Sequence, residues 1–174
     1  EHGKPTEEQL RVSFNQLVRD TGISRGGLRK AIDEAIDLHF IRRIVEPSPS
    51  RAGKSAVNGV YELAWDDSGK YERDIHKFCG FFEGAGHRTD IPNQFFDHVV
   101  KNASLAVSKV VGAVIRHSIG FQARRGVRRQ HAELSYSHIQ RYVDLASRAV
   151  SEGLHKAISQ NYIVCVQTGK FDPN

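Results

Sequence analysis

Apolar residues recur with a helical period near the N-terminal end of the chain. One stripe follows the spacing i, i+4, i+7, i+8 and comprises Leu28, Ile32, Ala35 and Ile36. Ser24 precedes this stripe as an N-cap, and Ser13 precedes a shorter helix over residues 14–20. Gly22 lies between them and supplies the positive φ that ends a helix. The pattern therefore predicts two helices joined by a three-residue turn, with a strand at residues 40–45.

The same pattern occurs a second time in the chain. Residues 12–44 align without gaps to residues 134–166, at an offset of 122. Five positions are identical, and eight more are apolar in both copies: Val12/Leu134, Phe14/Tyr136, Leu17/Ile139, Ile23/Leu145, Leu28/Val150, Ile32/Leu154, Phe40/Tyr162 and Ile44/Val166. A shared core with diverged surfaces is typical of an internal repeat. Chance similarity between amphipathic helices is the alternative.

A second strand follows the first copy after a turn-rich stretch. Residues 46–59 contain Arg51 and Lys54 and no acid after Glu46, and residues 60–65 alternate as a strand does. Two strands joined by a basic loop after a helix-turn-helix predict a β-wing.

Residues 12–65 thus resemble a winged-helix DNA-binding domain. The string Gly22-Ile23-Ser24-Arg25-Gly26-Gly27-Leu28-Arg29-Lys30 resembles the start of the recognition helix in GntR-type winged helices. The resemblance implies that Arg25 and Arg29, the first and fifth residues after the N-cap, reach DNA. Gly27 stands where that family usually has Thr or Ser.

The second half of the chain resembles a different winged-helix family. Residues 91–166 are similar to the winged-helix domain of phage lambda O-type replication-initiation proteins. The matching stretches are Ile91-Pro92-Asn93-Gln94-Phe95-Phe96, a helix ending in Ile115–Phe121, and the second helix-turn-helix. The expected fold is mainly α with small β-wings (α+β), in two tandem winged helix-turn-helix domains.

The expected domains are residues 1–66 and 88–174. Residues 67–87 are predicted to be a linker whose aromatic cluster packs between the domains, or alternatively presents a partner-binding patch. The apolar residues of this cluster are Ile75, Phe78, Phe81 and Phe82.

The basic residues of the first copy are candidates for DNA contact. Leu28 and Ile32 point inward, so Arg25, Arg29 and Lys30 project outward. An arginine can bind guanine O6 and N7 together, whereas a lysine suits phosphate. The predicted contacts of this copy are Ser24, Arg25, Gly27, Arg29 and Lys30, with Arg51 and Lys54 in the wing. A solvated basic face is the alternative.

The second copy carries its basic charge upstream of the helix pair. Residues 116–131 have no acid and contain Arg116, Arg124, Arg125, Arg128 and Arg129, with Gly120 and Gly126 predicting a loop or hairpin. We expect this segment to bind phosphate. The alternative is a solvated loop, or pairing with Asp97 or Glu133. The second recognition helix offers Ser147, Arg148 and Ser151 as DNA contacts. Its Glu152 would lie near phosphates, which is unfavourable unless it accepts from a cytosine amine.

Composition limits the other classes of function. The chain has 174 residues, and 25 Lys+Arg against 20 Asp+Glu give a net charge of +5, which permits a polyanionic partner. No apolar run is long enough to span a membrane, and no signal peptide is expected. The two cysteines lie far apart in the sequence and favour a reducing cytosol as the location. A DNA-binding protein in that compartment is expected at the nucleoid. His76, Cys79 and His87 lack metal-ligand spacing, and Gly53-Lys54-Ser55 lacks the upstream glycine of a P-loop. No enzyme, metal or cofactor is expected.

The expected function is binding of double-stranded DNA by two winged helices. The resemblance implies origin binding and replication initiation in a plasmid, phage or mobile element. A transcriptional repressor of the same fold is the alternative. In a third interpretation, the second domain is a protein-interaction module of a scaffold. Expected partners are DNA and proteins of replication or transcription, and a homodimer is left open.

Overall fold

The structure is a computed structural model that describes residues 10–50, 55–84 and 87–168. The chain divides into two compact units, Glu1–His87 (unit 1) and Arg88–Asn174 (unit 2). Both units combine helices with small sheets, so the fold is of the α+β kind. Among the described residues, none of the helices is both long and apolar enough to cross a membrane.

Unit 1 begins with a three-stranded sheet and two helices. Its elements are β1 (Leu10–Val12), α1 (Phe14–Thr21), α2 (Arg25–Asp37), β2 (Ile41–Val45) and β3 (Gly59–Leu63). The strands are antiparallel in the order β1-β3-β2. A bridge between Ser48 and Val57 extends the β2–β3 hairpin beyond the sheet. The helices begin and end where the sequence predicts: Ser13 and Ser24 cap them, and Gly22 has a φ of 70°.

The apolar stripe of α2 forms the core of unit 1 with the sheet. Leu28 and Ile32 pack with Val12 and Tyr61, and all four are buried. Arg43 on β2 is held against α2 by Asp33, with its Nη2 atom 2.9 Å from the carboxylate, and against Glu46 at 2.9 Å. These pairs fix the hairpin beside the second helix.

Residues 65–87, which include the predicted linker at residues 67–87, fall within unit 1. This segment contains β4 (Trp65–Asp66), a 3-10 turn at Ile75–Lys77, and β5 (Phe81–Phe82), which pairs in parallel with β4. The Phe78 and Phe81 rings lie 5.6 and 6.2 Å from the ring of Phe40, which lies between α2 and β2. The aromatic cluster therefore covers an apolar ring of its own unit. Ile75 stays exposed.

Unit 2 is a helical cluster with one hairpin. A π-helical segment at Phe95–Val100 precedes α3 (Leu105–His117), β6 (Gln122–Arg124), β7 (Val127–Arg128), α4 (Tyr136–Val143) and α5 (Ser147–Ser159). Val110 on α3 is buried with Ile139, Val143 and Val150 from α4 and α5. Gly153 permits this packing, since a Cβ there would lie 3.1 Å from the Ala106 carbonyl oxygen.

The two copies of the repeat have the same local structure. Helices α1 and α4 begin and end 122 residues apart, and so do α2 and α5. Gly22 and Asp144 both take positive φ at the end of the first helix, and His39 and Asn161 both do so after the second. The Phe40 and Tyr162 amides donate to the equivalent carbonyls of Ala35 and Ala157.

Beyond this point the copies diverge. The repeat predicts that a strand begins at residues 162–166, as at residues 40–44 of the first copy, and this prediction is wrong. Residues 162–166 form no strand, and Val164 and Val166 are 81% and 84% exposed. In unit 1 the matching strand β2 pairs with β3. The described part of unit 2, which ends at Thr168, supplies no such partner, and a strand without one leaves its backbone groups unpaired. The sheet of unit 2 lies before the helix pair, in β6 and β7.

Candidate nucleic-acid interface

The start of α2 presents two exposed cations to solvent. The Ser24 Oγ atom accepts a hydrogen bond from the Gly27 amide at 3.3 Å, which fixes the first turn. Because Leu28 and Ile32 point into the core, Arg29 and Lys30 fall on the outer face and are exposed. Neither has an acidic partner among the described residues. The predicted Ser24 hydroxyl is thus engaged in capping, while the two cations are available for a ligand.

Arg25 is held by a residue that the sequence did not suggest. Its Nη2 atom donates a hydrogen bond to the Asn15 Oδ1 atom, on the first turn of α1. The bond spans the two helices of unit 1 and restrains the guanidinium at the surface. A guanidinium has five N–H donors, so the remaining ones are available. Asn15 is a positioning residue of this surface.

The glycine pair leaves the first turn of α2 bare. A Cβ at Gly27 would lie 3.3 Å from the Ser24 Oγ atom and 3.2 Å from the Ile23 Cγ2 atom, whereas at Gly26 nothing lies within 4 Å. A side chain at Gly27 would therefore press on the cap. Gly27 offers a ligand its backbone and no side chain.

The β2–β3 loop is described only in part. Arg51 and Lys54, the predicted wing contacts, lie outside the described residues. The arginines on β2 have intramolecular partners: Arg42 donates to the Trp65 carbonyl oxygen at 2.7 Å, and Arg43 binds Asp33 and Glu46. Acids therefore neutralise Arg43, whereas Arg42, bonded to a neutral carbonyl, keeps its positive charge.

In unit 2, the β6–β7 hairpin exposes two arginines at its tip. Arg124 pairs with Val127 across a two-residue turn of Arg125 and Gly126, and Gly126 takes a φ of 78°. The whole stretch 121–130 is exposed. Arg124 and Arg125 have no acidic partner in the part of the chain that the structure describes. Of the two predicted forms, loop or hairpin, the structure has the hairpin.

The other three arginines of this segment lie at the base of the hairpin. Arg116 and Arg129 place their Cζ atoms 5.1 and 5.6 Å from the centre of the Phe121 ring. Arg128 binds Asp90 at 3.1 Å. The acids considered from the sequence, Asp97 and Glu133, are not its partners. An exposed ion pair of this kind contributes only ~0–1 kcal/mol, so a phosphate can displace it.

Helix α5 offers a weaker surface than α2. Ser147 is exposed at its first turn, but Arg148 binds Glu152 at 2.8 Å one turn on. That hydrogen bond lowers the pKa of Glu152, which therefore stays anionic and neutralises the arginine. Ser151 is half-buried, and its carbonyl oxygen contacts the His155 Nδ1 atom at 2.8 Å. These polar contacts of Arg148 and Ser151 stay within α5 itself.

A groove of about 740 Å³ runs between the hairpin and the start of α4. Its charged and titratable lining residues are His117, Arg128, Arg129, His131, Glu133 and His138. The His117 ring lies 4.8 Å from that of His138 and 4.7 Å from that of Tyr142. Burial lowers the pKa of the His117 ring most, and the nearby His138 and Arg116 lower it further. Its protonation therefore costs stability, which declines as the pH falls below the ordinary histidine pKa of about 6.5.

Sequence reasoning missed the histidines and two polar partners. Asn15 and Asp90 gave no sequence signal, because their contacts with Arg25 and Arg128 arise from the tertiary fold. The histidines did give one: His117 and His131 stand within the same acid-free segment as the five arginines. Counting the titratable rings there would have pointed to this groove.

Within the described residues, no group of three or more His, Cys, Asp and Glu side chains is placed to hold a metal ion. Cys79 is exposed, and desolvation together with the Asp66 carboxylate raises the pKa of its thiol. A raised pKa reduces the thiolate that a nucleophilic cysteine needs.

No family model matches the chain, and comparison with curated proteins and with solved structures finds no match either. The resemblance of each half to a winged-helix family therefore stays a prediction.

Proposed function

We propose that this protein binds double-stranded DNA, with unit 1 acting as a winged helix and α2 as its recognition helix. The observation that carries the proposal is the start of α2, where Arg25, Arg29 and Lys30 are exposed opposite the buried stripe. A strand, two helices joined by three residues, and a two-stranded hairpin in the sheet order β1-β3-β2 support the winged-helix assignment.

The charge distribution along α2 favours one docking direction. The three cations lie in its first two turns, whereas its acids, Asp33, Glu34 and Asp37, lie in the second half. The positive end of the helix dipole adds to the cations at the same end. The N-terminal end of α2 would therefore enter the major groove, where an arginine can read guanine.

Unit 2 supports the proposal through its hairpin more than through α5. Arg124 and Arg125 project from the tip of the hairpin, whereas Arg148 on α5 is neutralised by Glu152. A basic hairpin of this kind can follow a phosphate backbone or enter a minor groove. In this proposal β6–β7 performs the role of a wing from a position before the helix pair.

The biological role follows from the resemblance alone. Similarity to lambda O-type proteins favours origin binding and replication initiation, and the GntR-like string favours a repressor. Origin binding requires several repeated sites and a helicase or loader as partner. A repressor requires a single operator near its own gene. The sites recovered by selection from a random duplex pool would separate these roles.

The proposal is tested by fluorescence polarisation on a random-sequence duplex over a salt series. Arg25→Ala/Arg29→Ala and Arg124→Ala/Arg125→Ala should each weaken binding. If each arginine binds one phosphate, the log–log salt slope falls by about 0.9 for every arginine that is replaced. Replacing an arginine that instead contacts a base should lower the affinity for selected sites while changing the salt slope less.

Lys70→Ala/Arg73→Ala is the matched control, since it removes two exposed cations of unit 1 outside the proposed surface. It should leave the affinity nearly unchanged. Absence of binding by the unaltered protein at about 50 mM salt, where several phosphate contacts are readily detected, would overturn the proposal. Equal reductions of affinity in all three variants would reduce it to nonspecific charge attraction.

A further inference from the structure

The groove of unit 2 is lined by histidines, to which the proposed function assigns no role. Three of its lining residues are histidines, His117, His131 and His138, and they come from α3, from the segment before α4 and from α4 itself. Arg128 and Arg129 line the same groove from the hairpin. Histidine is the side chain whose charge changes between about pH 5 and 8. The groove therefore holds both permanent and conditional positive charge.

We infer that this groove is a phosphodiester-binding site of the DNA backbone, and that it takes up protons when a phosphate occupies it. The inference rests on the proposed function and deepens it, because it names the part of unit 2 that holds the backbone and the condition that strengthens it. The arginines supply the constant attraction, and the histidines supply a part that depends on pH.

The packing of the rings explains why a bound phosphate would favour protonation of His117. His117 and His138 lie 4.8 Å apart, so two imidazolium rings would repel each other. Burial depresses the pKa of the His117 ring most, and repulsion by His138 and by Arg116 depresses it further. A phosphate in the groove offsets that repulsion, so the bound state holds more protons than the free state.

The remaining groups that face the histidines have opposing effects. Arg128 and Arg129 attract a phosphate, Glu133 repels it, and Tyr142 contacts His117 edge-on. Arg128 is bound to Asp90, and a phosphate that displaces this carboxylate would release the guanidinium into the groove. Glu133 repels a phosphate and is the one lining residue whose removal should strengthen binding.

The test measures duplex affinity by fluorescence polarisation from pH 6.0 to 8.0 at constant ionic strength. The unaltered protein should bind several-fold more tightly at pH 6.0, and calorimetry in two buffers of different ionisation enthalpy should show proton uptake on binding. Its salt slope should steepen by about 0.9 for each histidine that becomes a phosphate contact.

His117→Gln/His138→Gln should flatten the pH dependence while leaving binding at pH 8.0 close to that of the unaltered protein. His98→Gln, an exposed histidine of the same unit outside the groove, is the matched control and should retain the dependence. Glu133→Gln should bind more tightly at every pH, and it keeps the inference testable if the double variant does not fold. Thermal melting by circular dichroism verifies folding.

The outcomes separate this inference from the proposed function. Duplex binding with no pH dependence and no proton uptake would overturn the groove site and leave the proposed function intact. Loss of the dependence in His98→Gln to the same degree as in the double variant would also overturn it. Absence of duplex binding at every pH would overturn both.

Discussion

At the scale of single residues, Ser24 illustrates how a predicted contact can have a structural task. Its Oγ atom caps α2 by accepting from the Gly27 amide. Ser24→Ala should lower the stability of unit 1 by ~1 kcal/mol, as measured by denaturant unfolding. Ser24→Asp keeps a capping oxygen, so stability should be retained, but its negative charge should weaken duplex binding.

The pair of variants separates the two tasks of this position. If Ser24→Asp binds DNA as tightly as the unaltered protein, the start of α2 does not face phosphate. Ser13→Asp, the same change at the cap of α1, serves as the comparison for a general effect of one added charge.

At the scale of elements, the repeat places a natural comparison at the turn between its helices. Gly22 and Asp144 both adopt positive φ there, at 70° and 49°. This conformation costs a residue with a Cβ about 1 kcal/mol, and glycine avoids that cost. Gly22→Ala should therefore destabilise unit 1 by about that amount, whereas Asp144→Gly should stabilise unit 2 by a similar amount or less.

Chemical denaturation of the full chain, followed by a probe in each unit, would measure both changes. Trp65 fluorescence reports on unit 1, and resolved NMR signals of Tyr136 and Tyr142 on α4 report on unit 2. Gly26→Ala is the control for adding a methyl group to a helix, because it has open space and ordinary φ. A stabilising Gly22→Ala would show that the turn changes its conformation.

At the scale of the whole molecule, the proposed function places two DNA-binding units on one chain, and these should act through effective concentration. Linked contacts exceed the affinity of either alone by up to ~10²–10⁴-fold when both can engage one duplex. On a duplex of several helical turns, the Arg25/Arg29 and Arg124/Arg125 double variants should each lose much of this gain. On a duplex of about one turn, the unaltered protein should approach the affinity of its stronger unit.

A length series of duplexes, measured by polarisation at fixed salt, tests this expectation. A longer duplex offers more nonspecific sites, which raises the affinity slightly by itself. If the affinity rises with length by no more than this, a single unit carries the binding. Under that result unit 2 would be better explained as a protein-interaction module.

The sequence by itself determined the local elements of both copies. Ser13 and Ser24 act as caps, Gly22 takes positive φ, and Leu28 and Ile32 are buried, because capping, turn geometry and helical periodicity depend on residues within about four positions. The exposure of Arg29 and Lys30 follows from the same periodicity. These features were therefore accessible without a structure.

Only the tertiary structure decided what depends on partners distant in the chain. The strand expected at residues 162–166 is absent because a strand needs a neighbour, and none is supplied in the described part of unit 2. The aromatic segment joins unit 1 because its rings meet Phe40. The engagement of Arg25 by Asn15 and of Arg128 by Asp90 likewise spans residues far apart in sequence, where no local pattern predicts contact.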